Sequence, residues 1–437
     1  MAGKKVIVAG HICLDITPVF PESARGKGSE ILMPGKLVET KAASVSTGGA
    51  VANTGLAMKI LCADPDFTEK GGADAGRAGD EGADTGHAGD EGADASNPGD
   101  ERTDVRLMGK VGTDDIGDMI CNILKRYDAD KDMIRSEDED SSYSVVLALP
   151  GIDRMFLHCP GANNTYGSAD IPDEALGEAT LLHFGYPPLM KKMYDNGGRE
   201  LADLFKRAHD AGCATSLDMA AIDPATDAGS ADWNSILEKV IPFVDFFVPS
   251  IEELCFMIDR ERFAEWQERI NRDKSAESQE RINRGTSAES QKHANGGDIT
   301  EILDVDKDIR PIANRCMEMG CKVLLLKCGA PGLYYRTASR DVIAKIPSVL
   351  GLDIDAWAEK EGFERSYKPD AVLSGTGAGD TSIAAYLTSM LEGNPPEECI
   401  RLAAATGACC VSAYDALSGL KPLSELRKRI DAGWEKN

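Results

Sequence analysis

The chain has 437 residues, 42% of them hydrophobic, so it has enough apolar material for a sizeable core, and disorder throughout is excluded. Its 48 Lys and Arg against 73 Asp and Glu leave a formal charge of −25, which argues against nucleic acid or an acidic membrane surface as a partner. No stretch of about 18 apolar residues is present to span a bilayer.

The opening MAGKKVIVAGHICLDITP breaks its apolar run at His11 and Asp15 and reads as a first strand, not a signal peptide. From about 15 to 46 short strands and turns follow with little helix. Gly48-Gly49-Ala50-Val51-Ala52-Asn53 then leads into the helical GLAMKILCA. The two glycines permit close approach to the backbone, and the Asn53 amide can donate and accept, as a hydroxylated ligand requires. A helix capped by Asn53 would give the same pattern.

Residues 69–104 form an acidic low-complexity insertion built on three ten-residue repeats, GADAGRAGDE, GADTGHAGDE and GADASNPGDE. With almost no large apolar side chain, the segment cannot offset its ordering entropy and is expected to be a solvated surface loop. DVRLMGKVG resumes as a strand, and the glycines from Gly109 to Gly117 serve turns and packing. Residues 141–159 again read as short strands, which together with 15–46 predict a small separate sheet. ATLLHFGY, CATSLDMA, VDFFVPS and KVLLLKCG are buried-strand runs, and ELADLFKRAHDAG between them is an amphipathic helix stopped by Gly212. This alternation predicts an α/β fold with a mostly parallel sheet covered by helices on both faces, where ligands collect at the carboxyl ends of the strands. A polar insertion is expected at 261–300, containing the repeats QERINRDKSAES and QERINRGTSAES.

Two Gly-rich turns close the chain. Lys327-Cys328-Gly329-Ala330-Pro331-Gly332 follows a buried strand and can lie against a nucleotide, or simply join two strands. Ser374-Gly375-Thr376-Gly377-Ala378-Gly379-Asp380 precedes a helical stretch, so its N–H groups can converge on an anion. A carboxylate beside that anion is costly unless it takes a proton from an attacking hydroxyl. Asp380 as a plain helix cap is the competing explanation. The loop is not a Walker loop, since no G-K-[ST] occurs, and its third glycine falls one position early for a dinucleotide fingerprint.

Four such motifs in this order resemble the ribokinase-like carbohydrate kinases of the pfkB type. GGAVAN is similar to that family's G-G-x-x-x-N signature, and GTGAGD to the core of its D-T-x-G-A-G-D signature. The resemblance implies a three-layer fold over residues 1–437 with 15–46 and 141–159 as a small β lid. It also implies transfer of the ATP γ-phosphoryl to a sugar hydroxyl. Asp380 would be the base, and Gly377, Ala378 and Gly379 the anion hole. Asp15, Gly48, Gly49 and Asn53 would hold the sugar. Arg154, in the turn-rich GIDRMF, can reach a substrate carboxylate or phosphate from the lid, and a plain exposed Arg is the competing explanation. Lys327, Gly329, Gly332 and Thr376 would contact the nucleotide. Glu253 of Pro249-Ser250-Ile251-Glu252-Glu253 would organise Mg²⁺, although Ser250 stands where the family has Asn. Ser374 and Gly375 replace the usual Asp and Thr, which leaves a monovalent-cation site open. A nucleoside kinase would stack its base on lid aromatics such as Phe20, Tyr143 and Phe156, and a non-catalytic ligand sensor would explain the departures. Some relatives pair through their lids, so a homodimer is the expected partner besides the small molecules.

The histidines His11, His158 and His183 show no metal-ligand spacing and are expected to be satisfied core or rim residues. Twelve scattered cysteines without a C-x-x-C pair suggest free buried thiols in a cytoplasmic protein.

Overall fold

The computed structural model describes residues 3–31, 33–63, 103–150, 154–284 (backbone alone for 273–284) and 299–437. Nearly all of the acidic insertion, and residues 285–298 of the second polar segment, lie outside the described residues.

The strands are β1 (Lys5–Gly10), β2 (Cys13–Val19), β3 (Ala42–Gly48), β4 (Asp104–Gly112), β5 (Met133–Ser136), β6 (Tyr143–Leu147), β7 (Met155–Cys159), β8 (Leu181–Gly185), β9 (Ala214–Asp218), β10 (Phe246–Phe247), β11 (Val323–Lys327), β12 (Gly332–Thr337) and β13 (Glu361–Arg365). Nine of them form one sheet in the order β13-β12-β11-β10-β9-β8-β1-β4-β5, in which β12 alone runs against its neighbours. Alternate residues of its strands feed two cores. Val6 and Val8 of β1 pack into one face, Ile7 and Ala9 into the other. Both faces are therefore covered, which explains why these strands read as unbroken apolar runs.

The helices that matter for the site are α1 (Gly49–Ala63), α2 (Asp115–Lys125), α3 (Lys191–Asp210), α4 (Ile251–Ile258), α5 (Arg260–Arg284), α6 (Ala378–Leu391) and α7 (Pro396–Cys410). α1, α6 and α7 bury Val51, Leu56, Ile383, Tyr386 and Leu402 against the Val6 face, while Leu201, Leu204 and Phe205 of α3 cover the Ile7 face. Asp114 caps α2 by accepting from the Gly117 N–H at 2.7 Å, so the third Gly motif is structural.

The four remaining strands make the small sheet, in the order β3-β2-β6-β7. The run read as one first strand is broken here: the chain turns between Gly10 and Cys13, and β2 leaves the large sheet for the small one. Asp15 consequently sits within the small sheet, not at the end of β1. The start of the polar segment expected at 261–300 is not solvated either. Trp266 of α5 is buried and donates its indole N–H to Asp308 at 3.0 Å, and Arg269 pairs with the same carboxylate at 2.7 Å. All twelve cysteines are free. Among the described residues no helix is long and apolar enough to cross a membrane.

Candidate active site

The carboxyl ends of β1, β8, β9 and, across the short β10, β11 line one edge of the sheet and carry Gly10, Gly185, Asp218 and Lys327. The amino ends of α1 and α6 meet above them, and the small sheet closes the other side.

At the centre is Asp380, in the first turn of α6 and 4% exposed. Asn53 Nδ2, in α1, donates to its Oδ2 at 3.0 Å, and Thr54 Oγ1 lies 3.4 Å from Oδ1. The Tyr186 hydroxyl, just past β8, is 2.7 Å from Oδ1 and 2.8 Å from Oδ2. The two Gly-rich turns, 327 positions apart at Asn53 and Asp380, thus share one carboxylate.

The turn before α6 is built for close approach. Gly377 has φ 74°, and a methyl group there would overlap Ala416, so only glycine fits. Being glycine, this N-cap also supplies no side chain to occupy the helix amino end. The Ala378 N–H makes a long bond to Gly375 O at 3.4 Å, while the Gly379 N–H, in the first turn, has no intrahelical acceptor. Ser374 braces the loop: its hydroxyl accepts from Thr376 N–H and lies 3.1 Å from Thr376 Oγ1. Arg154 does not stand over the Asp15 side of the cleft. It reaches from the start of β7 to the Thr376 hydroxyl, next to the anion loop.

Beneath Gly379 lies a charged cluster. Lys327 Nζ pairs with Asp218 Oδ1 at 2.7 Å, and a methyl at Gly379 would be 3.3 Å from Lys327 Cδ. Burial is the largest influence on Asp218 and pushes its carboxyl up, Lys327 opposes that shift, and Glu253 and Asp380 add to it. Burial pulls the Lys327 ammonium down, but Asp218, Glu253 and Asp380 together outweigh it and hold the ammonium above its ordinary value. Three carboxylates around one ammonium favour an added cation. Among the described residues Asp218 Oδ2 is buried without a partner, and one Glu253 oxygen accepts from the Ser250 N–H at 3.1 Å at the start of α4. Among the described residues no three acidic, His or Cys side chains converge on one point. The donor set fits a magnesium ion held largely by phosphate and water, with Asp218 and Glu253 behind it. Gly329 and Gly332 turn the chain from β11 into β12, and Gly332 owes its identity to the β13 backbone at Glu364, which a side chain would hit.

The small sheet presents two different faces. Its register aligns Ser46, Asp15, Ser144 and His158 across all four strands. The alternate row is Val45, Ile16, Val145 and Leu157. The polar row faces the cleft, since the His158 ring lies 5.2 Å from that of His11 at the end of β1. Gly48 lies beneath it, and a side chain there would push the Asp15 carboxylate aside. Burial, the Cys13 thiol, Ser144 and Asp380 act on Asp15, and burial prevails, raising its carboxyl. His11 corrects an expectation: both its ring nitrogens are buried without a partner, and burial, then His158, pull the imidazole down to about 3. His183 is bonded only through Nδ1, to Ser216 at 3.0 Å, and its Nε2 is also unpartnered. Of the three lid aromatics, Phe156 alone is on the cleft face. Phe20 is buried in a satellite core, and Tyr143 lies on the opposite face.

Residues 297–422, which contain both carboxy-terminal turns, match the model of the pfkB family carbohydrate kinases. The sequence match to the pfkB family thus lies in the carboxy-terminal part of the chain, and the wider likeness is one of fold. An uncharacterized sugar kinase of Archaeoglobus fulgidus is 23% identical over 314 residues, 72% of this chain and 93% of that one. In structure the chain is similar to Arabidopsis thaliana ribokinase complexed with ribose and ATP, with a TM-score of 0.58, 18% identity and 98% of both chains covered. It is also similar to a Methanocaldococcus jannaschii nucleoside kinase, with a TM-score of 0.55, 17% identity, and 99% and 100% covered. The family match and these relatives together make the chain a phosphotransferase with an alcohol group as acceptor. Tyr186, Thr54 and Asp218 are site residues that motif reading missed. The last shows one signal, its place at the carboxyl end of a buried strand.

Proposed function

We propose that this kinase transfers the γ-phosphoryl of ATP to a hydroxyl of a neutral carbohydrate, with Asp380 as the base. One observation carries the reading: Asp380 accepts from Asn53 of the first Gly-rich turn while standing at the open amino end of α6. Acceptor and phosphate chemistry therefore meet at a single carboxylate. The acceptor oxygen attacks the γ-phosphorus as its proton passes to a carboxylate oxygen of Asp380. The bond to the bridging oxygen breaks, and ADP leaves with that electron pair. The Gly379 N–H, the α6 dipole and Lys327 stabilise the charge on the transferring group. Arg154 adds a second positive charge from the lid side of the loop. Magnesium, when bound, neutralises phosphate charge in front of Asp218 and Glu253.

The acceptor side carries Asp15, Ser46, Ser144, His158 and His11, groups that pair with hydroxyls. The Asp15 carboxylate there, with Asp380 close by, repels a sugar acid or a phosphosugar. The small sheet acts as a lid that excludes water, so that ATP is not hydrolysed. A nucleoside acceptor is the second reading, favoured by Phe156 on the cleft face; a ligand sensor has no use for a base at the anion loop. We place the protein in the cytoplasm. Purified protein with ATP and Mg²⁺ is to be screened for ADP release against pentoses, hexoses, nucleosides, sugar acids and sugar phosphates. Turnover of a neutral sugar is expected, and preference for an anionic acceptor refutes the assignment.

A further inference from the structure

Tyr186 takes no part in the steps above, yet its hydroxyl makes the shortest contacts to the Asp380 carboxylate. Its backbone is left-handed, with φ 67° and ψ 39°, a region that a bulky residue enters only when its surroundings impose it. The residue lies between Gly185, the last of β8, and Pro187, and this turn sends the ring to the floor of the cleft. The ring centroid lies 6.1 Å from that of His11.

The two distances to Asp380, 2.7 and 2.8 Å, describe one proton shared across both carboxylate oxygens. A donor held close to both oxygens at once restrains rotation of the group. Asn53 approaches Oδ2 from α1, while Tyr186 approaches from the end of β8. A helix covering the sheet and a strand within it therefore fix one carboxylate. Burial, then the Asp380 charge, push the Tyr186 phenol well above its ordinary value, so it remains a donor throughout the neutral range.

We propose that Tyr186 is a positioning residue for phosphoryl transfer, its hydroxyl holding the Asp380 carboxylate in the plane from which one oxygen can meet the acceptor's proton. The proposal rests on Asp380 being the base. A purely packing role for the ring makes the opposite prediction for phenylalanine, which keeps the ring and loses only the O–H.

The test compares Tyr186→Phe, Tyr186→Leu, Asp380→Asn and the double variant Y186F/D380N, with circular dichroism to establish that each folds. kcat and both KM values are measured with the acceptor that the screen identifies, and with water as acceptor in slow ATP hydrolysis. Y186F is expected to lower kcat on the order of 10- to 100-fold with the KM for ATP within about twofold, and Y186L to lose kcat similarly. In the D380N background, which has no base to orient, adding Y186F should change kcat by less than about twofold. Wild-type kcat in Y186F, or a loss that multiplies with that of D380N, overturns the positioning role. Undiminished turnover in D380N instead removes the base assignment. Absence of ADP release with every acceptor and with water refutes the kinase reading itself.

Discussion

Lys327 and Asp218 form a buried ion pair, 2.7 Å from Nζ to Oδ1, that spans β10 and lies directly under the glycine turn of α6. The pair has two consequences. It presents an ammonium to the anion loop, and it leaves one Asp218 oxygen unpartnered on the same floor.

Removing one member of such a pair strands the other. Lys327→Met should destabilise the fold by about 3–5 kcal/mol, since a buried carboxylate is left uncompensated. Lys327→Met with Asp218→Asn should recover much of that loss. Burial raises the Asp218 carboxyl, so without Lys327 the folded state binds a proton more tightly than the unfolded chain does. The penalty therefore grows as pH rises, and K327M should be closer to the parent at pH 5 than at pH 8. Urea unfolding of the three variants at both values decides the matter, and additive losses that ignore pH would show that the two groups do not interact.

Asp380→Asn keeps the shape of the side chain and removes its basicity. Turnover should fall about 10²- to 10⁴-fold, the usual range for a general base, with ATP affinity nearly intact. If Asp380 were only a helix cap, binding and turnover would decline together with stability. Isothermal titration with ATP beside steady-state kinetics separates the two cases.

Gly48→Ala introduces a methyl into the space of the Asp15 carboxylate, a side-chain end that can move, so the fold should survive. The displaced carboxylate then fits the acceptor poorly. The acceptor KM should rise about tenfold, which corresponds to loss of one good hydrogen bond, while the KM for ATP stays constant. A change in ATP affinity alone would place Asp15 outside the acceptor site.

The parts of this site that could be read from the chain are those written into local geometry. Gly48-Gly49, Gly329 and Gly377 mark sharp turns by composition alone, and Asn53 and Asp380 are polar residues at the starts of apolar helices. The two-face burial of the large sheet shows in runs such as VLLL before Lys327. Tyr186 was not legible, because its left-handed turn is imposed by the packing of β8 against β1 and not by its own preference. Asp218 finds Lys327 over 109 positions, and no local pattern encodes that pairing. Trp266 of α5 was hidden for a different reason: one anchoring aromatic just ahead of a polar repeat does not raise the apolar periodicity of its neighbours.

The alternation in the small sheet also bears on assembly. The row Val45, Ile16, Val145 and Leu157 runs across all four strands on the face away from the cleft; Ile16 packs partly against the chain's own core, while Val45 is 48% and Leu157 59% exposed. We propose that a second copy of the chain covers this face. A two-fold axis through the sheet would set each apolar row against its equivalent, the self-complementary contact that a symmetric dimer requires. Leu157→Glu would then place two like charges across that axis and should yield a monomer in analytical ultracentrifugation, while the parent sediments as a dimer. The substitution points away from Asp15 and His158, so any change in acceptor KM would report the loss of lid order on separation. A parent chain that stays monomeric at tens of micromolar, or a variant that still dimerises, rules this face out as the interface.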